Sequence, residues 1–164
     1  MSWYHAAVLF HVLSALFWLG GMFFLALVGA PVLRRVEPPA LRATLFRDLG
    51  RRFRRTGWIA IGFLLVTGTW ILHLRGLLRS DVLGDGAFWS SRYGLSLAVK
   101  MGAVAVMVSL AALHDFVLGP AAAREPPGTS RALQLRRRTV WIARANVLVG
   151  VVLVYAALRL ARGG

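Results

Sequence analysis

The chain has 164 residues, of which 58% are hydrophobic, and it still carries a formal net charge of +14. A soluble domain does not combine these values, and because the arginines cluster between apolar runs, the charge favours a membrane surface and argues against nucleic acid as a partner. There are no cysteines, which excludes disulfides, zinc ribbons, iron–sulfur clusters and covalently attached haem.

Four hydrophobic runs predict four membrane-spanning helices, at about residues 3–30, 58–75, 93–118 and 140–161. Each is near the ~20 residues needed to cross a bilayer, where only helical hydrogen bonds satisfy the backbone. The first run has no basic segment before it and continues to Pro31, so we expect a retained helix and not a cleaved signal peptide. We predict an all-α integral membrane protein: an antiparallel four-helix bundle forming a single domain over residues 1–164.

The arginines set the predicted orientation. The connections 31–57 and 119–139 are rich in arginine, whereas the one between the second and third helices has three arginines offset by Asp81 and Asp85. The positive-inside rule then places these two connections in the cytoplasm and both termini in the periplasm, for a multi-pass protein of the bacterial inner membrane. The first connection has apolar residues at four-residue spacing from Leu41 to Phe53, which predicts a basic amphipathic helix on the inner surface, the alternative being a solvated loop.

The first two helices each contain a histidine in the outer half of the membrane. An ionisable group at the centre of a span costs several kcal/mol, so each one is a hypothesis of function. His11 shares a helical stripe with Trp18, and His73 lies near the outer end of the second helix on a stripe with Gly62, Val66 and Thr69. We expect both stripes to face the interior of the bundle.

The third helix contains the only lysine of the chain, Lys100, about 10 Å from its outer end and level with His11. Lys100, Met107 and His114 are spaced by seven residues and form one stripe. His114 and Asp115 lie about one turn from the inner end of this helix. The structural interpretation of Asp115 is an ion pair with Arg144 of the fourth helix.

Imidazoles in an apolar bundle favour haem b, because histidines hold the iron, apolar walls hold the macrocycle and a cation can pair with a propionate. Lys100 suits the last role, or acts as a proton donor in a catalytic step. Copper(I) is the competitor, although it prefers sulfur ligands and the chain has four methionines and no cysteine. Buried polar groups with only a structural role are the third possibility.

Three segments together resemble the CopD-like family of bacterial membrane proteins, named for copper resistance. They are FHVLSALFWLGGMFFLALVGAPVLRR, RRFRRTGWIAIGFLLVTGTWIL and LAVKMGAVAVMVSLAALHDF, with the elements H-x6-W-x-x-G (His11, Trp18, Gly21), R-R-F, T-G (Thr67, Gly68) and the lysine of the third helix. The helix-one spacing and the lysine are also similar to those of HemJ-type protoporphyrinogen oxidases, four-helix haem b proteins. That likeness implies His11 as a haem ligand and Lys100 as a partner in the substrate or propionate site. The segment after Gly21, FLALVGAPVL, departs from the oxidases.

We therefore expect an inner-membrane haem b protein engaged in electron transfer, or a haem-dependent oxidoreductase acting on a quinone or a small redox substrate. His11 and His73 are the expected axial ligands, Trp18 and Lys100 complete the cofactor site, and His114 is a candidate ligand for a second haem or metal. Copper transport and a protoporphyrinogen oxidase-like activity are the alternatives, and a homodimer is left open.

Overall fold

The computed structural model describes residues 3–126 and 128–163 of the chain, and within these ranges it contains helices, turns and no strand. Four of the helices are long and apolar enough to cross a membrane. The prediction of an all-α protein with four spans is thereby confirmed. The chain divides into two compact units, residues 1–84 and 85–164, each with two of the long helices.

The first unit pairs helix α1 (Trp3–Leu33) with helix α2 (Pro39–Leu74). Their register is antiparallel along the whole length: Tyr4 accepts a hydrogen bond of 2.6 Å from Arg75, and at the opposite end Arg42 donates to the carbonyl oxygen of Arg34 at 3.3 Å. A short helix, α3 (Ser80–Leu83), follows. The face of α2 that meets α1 includes the buried residues Gly57, Ala60 and Ile61.

Helix α2 begins at Pro39 and runs without interruption to Leu74, so the basic segment and the apolar span form one helix of 36 residues. The segment from Leu41 to Phe53 is helical, as its spacing indicates, but it is not a separate helix. Pro39 at the first turn has a fixed φ that suits a helix start, and leucine, arginine and alanine then continue the helix readily.

The second unit begins with helix α4 (Gly86–Ser90) and pairs helix α5 (Arg92–Arg124) with helix α6 (Ser130–Ala161). Side-chain caps fix both starts: Ser91 accepts a hydrogen bond from the Gly94 amide at 3.0 Å, and Thr129 accepts one from the Ala132 amide at 3.2 Å. The cap at Thr129 explains why α6 starts ten residues before the apolar run at Val140.

Helices α1 and α5 each contain a π-helical turn close to a proline, at Leu25–Gly29 before Pro31 and at Leu113–Leu118 before Pro120. Proline has no amide hydrogen and its ring collides with the carbonyl group one turn earlier. A widened turn is one way for a helix to absorb that disturbance, and such turns are frequent at functional sites.

Most large apolar side chains of the four long helices are exposed, including Leu27, Val66, Leu95 and Leu148. Side chains of this kind are expected on helix faces that contact lipid, because the surrounding acyl chains are as apolar as they are. The protein is a multi-pass membrane protein.

Candidate functional site

His11 lies against helix α2 in the first unit. Its Nδ1 atom is 2.9 Å from the hydroxyl oxygen of Thr67, and the side chain is half-buried. The hydroxyl of Thr67 in turn donates to the backbone carbonyl oxygen of Phe63 at 2.5 Å. A histidine of α1 is therefore connected to the backbone of α2 through one side chain.

The hydrogen-bond directions at Thr67 fix the tautomer of His11. Because the hydroxyl hydrogen of Thr67 is given to a carbonyl oxygen, which can only accept, its oxygen is left to accept a hydrogen bond from the ring. The Nδ1–H group of His11 then donates to Thr67, and the lone pair of the neutral imidazole lies on Nε2. This is how metal-binding histidines are commonly oriented, with one nitrogen held by a second group and the other directed to the metal.

Gly68 makes room for the His11 ring. A Cβ atom at this position would lie 3.1 Å from Cε1 and 3.6 Å from Nδ1 of His11, which is tighter than an ordinary contact at the first distance. Thr67 therefore orients the ring of His11, and Gly68 lets the ring approach the backbone of α2.

The other elements of the helix-one pattern also meet α2. Trp18 is only 5% exposed, and its indole ring lies beside Gly57. Gly21 lies so close to the ring of Phe53 that a Cβ atom there would overlap it. Trp18 packs between the two helices, and its predicted role in cofactor binding stays a prediction.

His73 is not brought to His11. In the register set by the contacts of Thr67 and Gly68, His73 lies on the face of α2 that is turned away from α1, together with Gly62, Val66 and Thr69, and all four are exposed. The ring of His73 stacks on Trp70 with a centroid distance of 5.7 Å. The interior stripe of α2 in the first unit is thus a different one from the stripe we expected.

Lys100 belongs to the second unit, and its proximity to His11 stays a prediction. It is half-buried on α5, one heptad before Met107, whose side chain is completely buried. Asn146 of α6 is also buried, with 5% of its surface exposed. The stripe predicted from the seven-residue spacing, which contains Lys100 and His114, therefore includes Met107 as a core residue of the second unit.

His114 lies in the π-helical turn of α5 and contacts its neighbour Asp115, with 2.8 Å between Nδ1 and the carboxylate oxygen Oδ1. The two side chains are 36% and 19% exposed. The guanidinium group of Arg144, the partner we expected for Asp115, lies over the ring of Trp141 at 5.4 Å. An imidazole held by a carboxylate is a second arrangement in which Nε2 is the ligand atom.

The sequence identified His11, Thr67 and Gly68 but not the way they act together, and it did not predict that Phe53 and Gly57 contact helix α1. Within residues 3–126 and 128–163, no three histidine, aspartate or glutamate side chains form a group able to hold a metal ion. What the site offers is a single oriented imidazole in an apolar helix pair.

Comparison with known proteins supplies the family. Residues 47–159 match the family described as copper resistance protein D, CopD. An uncharacterized protein of Aquifex aeolicus is 31% identical over 156 residues, which are 93% of this chain and 92% of that protein. The copper resistance protein D of Pseudomonas syringae pv. tomato is 30% identical over 119 residues, which are 73% of this chain and 36% of that protein. No solved structure matches. The chain belongs to the CopD family of membrane proteins.

Proposed function

We propose that this CopD-family protein binds haem b through Nε2 of His11 and takes part in electron transfer in the cytoplasmic membrane. The observation that supports the proposal is the chain of hydrogen bonds from His11 through Thr67 to the Phe63 carbonyl. It holds the imidazole in one tautomer with its lone pair on the nitrogen that histidine uses to bind iron.

A single protein imidazole is enough for this ligand class. Porphyrin supplies four nitrogen ligands itself, so the protein has to provide only one or two axial groups and an apolar surface. Bound haem b would supply a one-electron redox centre. The parts of this chain then have separate tasks: Thr67 orients His11, Gly68 sets its distance from α2, and the apolar residues of both helices exclude water.

The other predicted site residues have separate roles in the proposal. His73 lies on the face of α2 turned away from α1, so in the first unit His11 would hold the haem without His73. Lys100 stays the predicted partner of a propionate or substrate, and His114 the predicted ligand of a second group. The electron partner we expect is a quinone or another small redox molecule.

The visible absorption spectrum of detergent-purified protein tests the proposal. From haem-replete cells we expect a Soret band and a pyridine haemochrome of haem b, both lost in His11→Ala. His5→Ala is the matched control, because His5 is also on α1 but is exposed at its outer end. A colourless preparation would disprove haem binding, and an unchanged spectrum in His11→Ala would disprove the ligand assignment.

Copper handling is the second candidate, and the family description favours it, since one relative is a copper resistance protein. An oriented imidazole is also a ligand for copper. This alternative predicts purified protein with stoichiometric copper by mass spectrometry, dependence of copper retention on His11, and no Soret band. A protoporphyrinogen oxidase-like activity, the third alternative, predicts in addition that the haem-loaded protein oxidises a porphyrinogen.

A further inference from the structure

The interface between α1 and α2 continues from His11 toward the N-terminus of α1. Tyr4 lies seven residues before His11, and Arg75 lies seven residues after Gly68. In each helix the two residues therefore share a face, about two turns or about 10 Å apart along the axis. Tyr4 contacts Arg75, and the ring of His11 lies beside Gly68. The two helix faces that hold the imidazole thus also hold a phenol and a guanidinium group.

The residues on these faces between the two levels are apolar. Ala7 of α1 is buried, with 8% of its surface exposed, and Val8, Ile71 and Leu72 are half-buried. An apolar surface with a few polar groups at a defined place is typical of a cofactor site. This surface suits a ligand with an apolar body and a polar group at its edge.

Tyr4 and Arg75 form the polar end of this surface. Nη2 of Arg75 donates a hydrogen bond to the hydroxyl oxygen of Tyr4 at 2.6 Å, and Nε donates to the same oxygen at 3.1 Å. Because this oxygen accepts both bonds, the hydroxyl can donate its own hydrogen to a further group, and a guanidinium group has five N–H groups in total. The pair therefore offers a charged donor and a neutral donor side by side.

The acidic residues of the first unit contact other arginines. Residues 1–84 contain three acidic residues. Their partners are Arg42 for Glu37 at 3.2 Å, Arg51 for Asp48 at 3.3 Å and Arg79 for Asp81 at 2.9 Å. Tyr4 is neutral, so its contact with Arg75 does not offset the positive charge of the guanidinium group. A carboxylate is the partner that such a group binds most strongly.

We propose that Arg75, held in position by Tyr4, binds a propionate of the haem that His11 binds; this inference rests on the proposed function. A propionate projects from the edge of the macrocycle, so it belongs at the polar end of the apolar surface and not beside the imidazole. The macrocycle is thereby oriented with a propionate toward the end of the first helix pair at which Tyr4 and Arg75 lie. Haem b has two propionates, so Lys100 stays the predicted partner of the other.

Uptake of haem b and of its dimethyl ester tests the proposal, with the full chain purified without haem in a neutral detergent. The ester has the same iron and macrocycle but no carboxylate. We expect the wild type to bind haem b about fivefold more tightly than the ester, close to the largest effect of an exposed ion pair. Arg75→Gln should bind both equally. Tyr4→Phe should lose part of the preference, and Arg75→Lys should retain part of it, because the charge remains.

Arg79→Gln is the matched control, because Arg79 is also an exposed arginine of the first unit but contacts Asp81. It should keep the preference of the wild type. If the wild type takes up neither porphyrin, the proposed function is wrong, and the role of Arg75 fails with it. If the wild type binds both equally, or if the preference persists in Arg75→Gln, haem binding stands and only the role of Arg75 is overturned.

The midpoint reduction potential of bound haem b is a second measurement. Ferric haem has one more positive charge than ferrous haem, so a nearby guanidinium group favours the ferrous state. The potential should therefore be lower in Arg75→Gln than in the wild type and unchanged in Arg79→Gln. A lower midpoint of thermal unfolding in Arg75→Gln, with an unchanged potential and an unchanged preference for haem b, would mean that Arg75 only joins the ends of the two helices.

Discussion

A threonine inside a helix commonly donates its hydroxyl hydrogen to a carbonyl group one turn earlier, and Thr67 does so with Phe63. What distinguishes Thr67 is the second contact, because its oxygen also lies 2.9 Å from Nδ1 of His11. Because the Phe63 carbonyl can only accept, it takes the hydroxyl hydrogen of Thr67, and the hydroxyl oxygen then accepts a hydrogen bond from the imidazole of the neighbouring helix. The chemistry of His11 depends on a residue of a different helix.

Replacing Thr67 by valine should release the His11 tautomer. Valine has nearly the same shape but no acceptor, so Nδ1–H loses its partner and haem or metal affinity should fall about 10- to 100-fold, the usual effect of losing the group behind a histidine ligand. Thr67→Ser should retain most of the affinity. In ¹⁵N NMR of protein without haem, we expect Nδ1 to be protonated in the wild type and both tautomers in Thr67→Val. An unchanged tautomer in the valine variant would contradict this role.

Replacing Gly68 by alanine should displace the imidazole. The added Cβ would lie 3.1 Å from Cε1 of His11, so the ring has to move by a few tenths of an ångström, and overpacking of this kind costs about 1 kcal/mol or more. Gly62→Ala is the matched control, because nothing lies within 4 Å of the Cβ position there. Thermal unfolding in detergent should show a lower midpoint for Gly68→Ala only. Equal midpoints for the two variants would show that His11 does not press on this position.

At the scale of elements, the sequence predicted that four helices exist and which polar residues they contain, because hydrocarbon imposes a long apolar run on each span. It could not give the register between helices. The spacing in α2 is compatible with two stripes, and we expected the one with Gly62 and His73, whereas α1 meets the one with Gly57 and Gly68. A stripe shows which residues share a face, but only the packing of side chains shows which face meets the neighbour.

Helix starts were also beyond the sequence pattern. Apolar runs begin at Trp58 and Val140, while the helices begin at Pro39 and Ser130. The bilayer determines where apolar residues are needed, but capping and helix propensity determine where a helix begins. Both helices extend into basic segments for that reason, and the hydrophobicity signal stops short of their ends.

The stability of the first helix pair should depend on the size of the side chain at position 21, because Gly21 contacts Phe53. Gly21→Ala places a Cβ atom against the Phe53 ring, so we expect a destabilisation of about 1–3 kcal/mol, typical of overpacking. The adjacent Gly20→Ala has nothing within 4 Å of the new atom and should leave the unfolding midpoint unchanged or raise it.

A double variant tests whether Gly21→Ala acts through its contact with Phe53. If Gly21→Ala acts through the Phe53 ring, then its effect should shrink in a Phe53→Ala background, because residues in contact are not additive. Additive losses would mean that the two helices do not pack as closely at this level as the structure shows.

At the scale of the whole molecule, the clearest pattern is the distribution of arginines along the chain. Most of the arginines lie in the connection within the first pair, 31–57, and in the connection within the second pair, 119–139. The connection between the two pairs has few. Helices α2 and α6 each carry most of their arginines in the first half and the apolar span in the second. Each pair, taken by itself, therefore has its basic end at the connection between its two long helices.

The predicted orientation, with both termini in the periplasm, can be checked directly. Alkaline phosphatase fused after the C-terminal residue should be active, because it folds only after export, and a fusion within the connection 31–57 should be inactive. Replacing the arginines at 47, 51, 52 and 55 by glutamine should reduce this difference, since the positive-inside rule depends on basic residues close to the span ends. Green fluorescent protein at the same positions should give the opposite pattern. An active phosphatase fusion in the connection 31–57 of the wild type would contradict the predicted orientation.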